Sequence, residues 1–284
     1  MNLVLKIMLF LSQTTLNQLF IMYQQLLQRI ESSKSFDFGN VLSKSISLFK
    51  KVWVEGFVHL LLIFVISLPV IIFFYVGMFI IMGANYFIAG GESGFVEQQE
   101  FDPVMVPSLI GLFLLVILLA AVLQAFNIAL MAHFYQVCKK ADTGSTAETG
   151  GYFVYLKKSS FKKLLVLSFA TVGVALLAAL LCWFPLFYVT VPLSMSGVIF
   201  AFNSDLSVKE NLTASFKLGN KYWLPVFGMI LLAGIIGNIG IIACGIGVLF
   251  TAMFAYIPAY YIYKDTIGFE ENSADRMTTS EIDF

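Results

Sequence analysis

The chain has 284 residues, 59% of them hydrophobic and 12% charged, and its formal net charge is zero. Soluble globular proteins carry about 25% charged residues, so a mainly soluble fold is excluded. The absence of a basic excess leaves no electrostatic footprint for nucleic acid.

The charges are missing in blocks. Residues 56–91, 103–138, 164–204 and 222–263, runs of 36, 36, 41 and 42 residues, contain no Asp, Glu, Lys or Arg. A helix needs about 20 apolar residues to cross the hydrocarbon core. Backbone polar groups in lipid must be satisfied internally, which restricts spans to helices and closed barrels. Barrel strands would alternate over roughly 10 residues, and these runs do not alternate. The expected fold class is therefore all-α: a polytopic membrane protein.

Residues 1–35 form an N-terminal segment. Met1 to Leu11 is apolar but interrupted by Lys6, and no Ala-x-Ala cleavage site follows, so it does not match a signal peptide. Met22 opens a cleaner segment and reads as the start, with 1–21 an overrun; the alternative is a short interfacial helix. Residues 36–264 are the membrane domain. Over 38–53, Phe38, Val41, Leu42, Ile46, Phe49, Val52 and Trp53 recur at helical spacing opposite Lys44, Lys50 and Lys51. That pattern predicts an amphipathic helix in the headgroup plane, the alternative being a cytoplasmic extension of the first span.

The first span is expected over roughly 56–84, kinked at Pro69, and the second over roughly 106–136. Between them lies a glycine-rich acidic loop. The two longest runs each suit two helices, with turns near Phe184–Pro185 and between Gly237 and Gly247. Ser207 and Glu210 have capping-box spacing. Residues 265–284 read as a disordered acidic cytoplasmic tail.

One motif organises the domain. Ser47 to Trp53 holds Ser-Leu-Phe-Lys-Lys-Val-Trp. Residues 159–163 repeat its core as Ser-Ser-Phe-Lys-Lys, and 215–217 repeat Ser-Phe-Lys, with Lys221 and Trp223 close behind. Each copy precedes a charge-free run. This predicts six transmembrane helices as three repeats of interfacial amphipathic helix plus helical hairpin. Lys50, Lys51, Trp53, Lys162, Lys163, Lys217, Lys221 and Trp223 are the candidate headgroup contacts, and membrane lipids are the expected partners. With the N-terminus inside and six crossings, every basic residue except Lys6 falls in the cytoplasm, as the positive-inside rule requires.

Three units of hook plus hairpin resemble a family of bacterial six-helix inner-membrane proteins. Its members include the membrane domain fused to some glycerophosphodiester phosphodiesterases. The resemblance covers roughly 36–264 and is strongest at Asp205 to Leu232, where a polar break and an amphipathic helix lead into Trp223 and the next span. It implies an inner-membrane location with both termini cytoplasmic. The phosphodiesterase's soluble catalytic domain is absent, so that activity does not carry over. Chains of this kind are also assigned as beta-carotene monooxygenases, a reading to be judged on residues.

The only histidines are His59 and His133. In the six-span arrangement they lie at one depth on neighbouring antiparallel helices, and they are the candidate metal ligands. Carotenoid-cleaving oxygenases hold iron with four histidines, and the other common non-haem site uses two His and a carboxylate; here only Glu55 is near. The simpler expectation is that the rings bond each other or a tyrosine and hold the hairpin. Cys138, Cys182 and Cys244 form no metal or disulfide pattern. The chain carries no phosphate-binding loop, HExxH or GxSxG. No cofactor and no catalytic residue is expected.

Gln124, Asn127 and Asn238 read as amides that tie helices together, or as part of a transport path. The pairs Ala233/Gly237 and Gly240/Cys244 have the spacing of close helix contact or self-association. Tyr256, Tyr260, Tyr261 and Tyr263 read as an aromatic belt, with a lipid-headgroup pocket as the alternative.

Overall fold

The computed structural model describes residues 3–34, 37–88, 105–146, 148–181, 183–244 and 247–269. Its helices are α1 (Leu3–Ser32), α2 (Phe38–Ile88), α3 (Met105–Thr143), α4 (Lys158–Leu180), α5 (Trp183–Phe202), α6 (Val208–Lys221), α7 (Trp223–Cys244), α8 (Val248–Thr251) and α9 (Ile257–Thr266), with 3-10 turns at Val154–Leu156 and Ala252–Tyr256. Among the described residues there is no strand. Four of these helices, α2 to α5, are long and apolar enough to cross a membrane, and α6 with α7 makes a fifth if that pair, bent by 91°, counts as one span. The chain is a helical multi-pass membrane protein. Its outward face agrees with that: Phe79, Leu180 and Phe184 are 79%, 82% and 85% exposed, an arrangement that lipid tolerates and water does not.

The helices pack as hairpins. His59 meets His133 and Gly77 meets Leu112, so α2 and α3 run antiparallel. The α4–α5 break falls between Leu180 and Trp183, just before the expected Phe184–Pro185, and Pro185 lies in the first turn of α5, where its missing N–H costs nothing. The break after α7 lies within the expected 237–247 window. Of the acidic loop expected over 85–105 and the tail expected over 265–284, residues 85–88 belong to α2, 105 opens α3, and 265–269 end and follow α9, with Thr266 and Ile267 buried; 89–104 and 270–284 lie outside the described residues.

The three hooks share sequence but not local structure. Residues 38–53 are not a separate helix in the headgroup plane. They continue unbroken into the first span, as the extension reading has it, within a 51-residue helix of about 77 Å. Their buried face, Val41, Ser45, Leu48 and Val52, joins the protein core. No glycine or proline stands between Asn40 and Glu55 to end the helix.

The second hook, 159–163, lies within the first two turns of α4. Only the third is an independent amphipathic helix, α6, opened by the complete Ser207–Glu210 capping box. Its buried face, Asn211, Ala214, Ser215, Leu218 and Gly219, is turned toward the protein. A Cβ on Gly219 would stand 2.6 Å from the Cα of Pro192 in α5, so only glycine allows that approach.

The segment expected as a sixth span, after α7, is built from α8, the 3-10 turn and α9 rather than one helix. Pro258 has no N–H to give Phe254, whose carbonyl accepts from Ile257 instead, which tightens the chain into the shorter ring. Thr251 Oγ1 bonds Gly237 O at 2.5 Å, and Gly237 lies against the backbone of Ala252. Ala233 and Gly237 are both buried, so this pair serves contact within the chain. The side chains of Gly240 and Cys244 are outside the described set.

Candidate functional site

Charge gathers at one end of the bundle. It is the end formed by the start of α2, the end of α3, the start of α4, the end of α5, α6 and α9. Four contacts link these pieces: Lys44 to Asp265 at 3.4 Å, Lys264 to Asp142, Lys163 to Ser204 O at 2.6 Å, and Asn203 to the Tyr263 hydroxyl at 2.7 Å.

The expected headgroup residues fall into two groups on this end. Lys50 and Lys51 on α2 and Lys162 on α4 are exposed, and Trp53 is 44% exposed beside Phe250. The others are engaged within the chain. Lys163 donates to Ser204 O. Lys217 pairs with Glu31 at 2.7 Å and holds its carboxyl below the usual range. Lys221 Nζ donates to the carbonyls of Ile30, Glu31 and Ser33, each at 2.7 Å. It thereby caps the end of α1, whose last carbonyls have no helical partner. Tyr222, at the elbow between α6 and α7, shares its one hydroxyl proton between Ser33 O and Lys34 O, 2.9 and 2.8 Å away. Trp223 donates its indole N–H to Tyr188 O at 3.1 Å and stacks between Tyr188 and Phe227. Four of the eight are therefore exposed and four have partners within the chain.

Tyr260, Tyr261 and Tyr263 do not form the surface belt expected from their crowding. Their exposures are 0%, 3% and 3%; Tyr256, at 38%, is the outward one. Tyr260 and Tyr261 each donate to Asp142, at 2.8 and 2.9 Å, and Lys264 joins them at 2.5 Å. Burial works against ionisation of Asp142, but the bonds from Lys264, Tyr260 and Tyr261 outweigh it and hold the carboxyl below its usual range. Local sequence pattern does not mark this hub, whose other members lie 118 to 122 positions from Asp142. The available signal was that Asp142 is the sole acid between Asp102 and Glu148.

The histidines do meet. His59 Nε2 lies 2.8 Å from His133 Nδ1, His59 Nδ1 lies 2.6 Å from Glu55 O, and His133 Nε2 lies 3.2 Å from Gly150 O. Tyr152 packs on both rings at 5.0 and 5.1 Å. Carbonyl oxygens only accept, and two neutral imidazoles have two N–H groups for three contacts. The network therefore assigns His59 Nδ1–H to Glu55 O and His133 Nδ1–H to His59 Nε2, leaving the longest contact without a proton. Both nitrogens of His59 are thereby committed. Among the described residues no group of three or more His, Cys, Asp or Glu could hold a metal ion.

Gln124 and Asn127 line two cavities, of about 210 Å³ toward α2 and about 290 Å³ toward α5, α7 and α9. Asn238 bonds the Gly234 carbonyl of its own helix. No family model matches the chain, and no curated protein or solved structure matches it either.

Proposed function

We propose that the chain is a six-span inner-membrane protein with both termini in the cytoplasm. It has no catalytic activity of its own and plays a structural or accessory role in which its basic face holds anionic lipid. The kinship with the six-helix inner-membrane family belongs to the same proposal.

The observation that carries it is the exposure of Lys50 and Lys51 with Trp53 on α2, and of Lys162 on α4, each just before a charge-free run. Lysines near a membrane surface attract anionic headgroups by about 1 kcal/mol each, and a half-exposed indole suits the same depth. The test is reconstitution into phosphatidylcholine bilayers containing a minor fraction of spin-labelled phosphatidylglycerol. The protein should immobilise the anionic label in preference to a zwitterionic one, and Lys50→Gln, Lys51→Gln and Lys162→Gln together should reduce that preference. Equal immobilisation of both labels would remove the reading.

A transport role is the second reading, favoured by the two cavities that share Gln124 and Asn127. It requires flux in liposomes that falls when both amides are made Leu. An oxygenase is disfavoured, because a metal at His59 and His133 would have to break the bond between the rings.

A further inference from the structure

Where α1, α3, α5 and α9 meet there is a cavity of about 300 Å³, at the small end of ligand-sized cavities. Two cations line it, Arg29 from the last turn of α1 and Lys139 from α3, and among the described residues no carboxylate does. Gln136, Asn203, Tyr263 and Phe269 contribute to its walls. The chain's turn after α9 shapes it. Gly268 sits at φ +75°, its N–H bonds Tyr263 O, and the reversal seats Phe269 against Phe202 and Tyr263. Lys139 then stands 4.6 Å above the Phe269 ring.

Among the described residues both cations lack a counter-charge. Among the described residues neither side chain makes a hydrogen bond or an ion pair, apart from the ring contact of Lys139. The nearby carbonyls already have donors. Ile30 O and Glu31 O take Lys221, Ala201 O takes Gln136 and Tyr155, Ile199 O takes Asn203, and Tyr263 O takes Ile267 and Gly268. Asp142, one turn beyond Lys139, is held by Lys264 and the two tyrosines. Helix capping therefore does not account for Arg29 and Lys139. Two like charges facing one polar cavity repel each other, and an anion between them relieves that.

We infer that this cavity binds a phosphate-bearing anion, with Arg29 and Lys139 as its charged contacts. The inference deepens the anionic-lipid reading by naming a discrete site, and rests on it only for where the phosphate comes from: a lipid headgroup or a soluble phosphate.

The full chain is reconstituted in phosphatidylcholine nanodiscs, and two probes are titrated: phosphatidic acid and inorganic phosphate. Saturable binding of one equivalent is expected. Arg29→Gln or Lys139→Gln should each weaken it about fivefold, and the pair together about 30-fold, from about 1 kcal/mol per charge. The charge-preserving Arg29→Lys should keep most of the affinity, which also guards against a double variant that does not fold. Binding of phosphatidic acid that inorganic phosphate does not displace assigns the site to a headgroup. Displacement at comparable concentration assigns it to soluble phosphate. Unchanged binding of both probes in the single variants overturns the inference. If the Lys50, Lys51 and Lys162 variants alone then weaken phosphatidic acid binding, the anionic-lipid reading stands without the cavity; if no variant does, both fall.

Discussion

His59 Nε2 and His133 Nδ1 lie 2.8 Å apart across the α2–α3 hairpin, and the outer nitrogen of each ring faces a backbone carbonyl. The pair is a clasp between two long helices. Changing both residues to Gln should cost stability by about 0.6–2 kcal/mol, seen as a lowered unfolding temperature, and should leave metal content unchanged. One equivalent of iron in the purified wild type that disappears in the double variant would restore the oxygenase.

Asp142 clasps α3 to α9 through Lys264, Tyr260 and Tyr261. Its pKa is lower in the folded protein than in the unfolded chain. The stability it contributes is therefore fully present above the ordinary carboxyl pKa, near pH 4, and is lost as pH falls through the lower folded value. Asp142→Asn should destabilise by roughly 2–3 kcal/mol at neutral pH. The gap in unfolding midpoint between variant and wild type should close as pH drops below about 4. A gap that does not vary with pH would show that the carboxylate charge is not what matters.

Lys221 and Lys217 both reach α1, but by different means. Lys221 takes three carbonyls, whereas Lys217 makes an ion pair with an exposed Glu31. Lys221→Met should release the end of α1 and speed proteolysis between residues 32 and 37. Lys217→Met should leave the cleavage rate unchanged, since exposed pairs add little. Similar rates in the two variants would contradict this division of labour.

What the sequence revealed, and what it hid, follows from the range of the interactions. The charge-free runs and the capping box at Ser207 and Glu210 were legible because each rests on residues close in the chain. Residues 38–53 were harder. An amphipathic face looks the same whether it meets hydrocarbon or protein, so Val41, Leu48 and Val52 do not announce that their partner is the core. The tyrosines of α9 posed the same problem, since Tyr260 finds Asp142 across 118 positions. Lys221 hid its partners for another reason. It binds backbone carbonyls, which leave no trace in side-chain pattern. The encounter of His59 with His133 was legible because an antiparallel hairpin brings residues at equal depth together.

The central claim is that all basic ends share one, cytoplasmic, side of the membrane, and reporter fusions test it most directly. Fusions after residues 95, 185 and 242 should report outside, and fusions after 150, 212 and 275 inside. The fusion after 212, within α6, decides the matter. An inside signal there agrees with four crossings before the third hook, and an outside signal would put Lys209, Lys217 and Lys221 on the far face and contradict the six-span account.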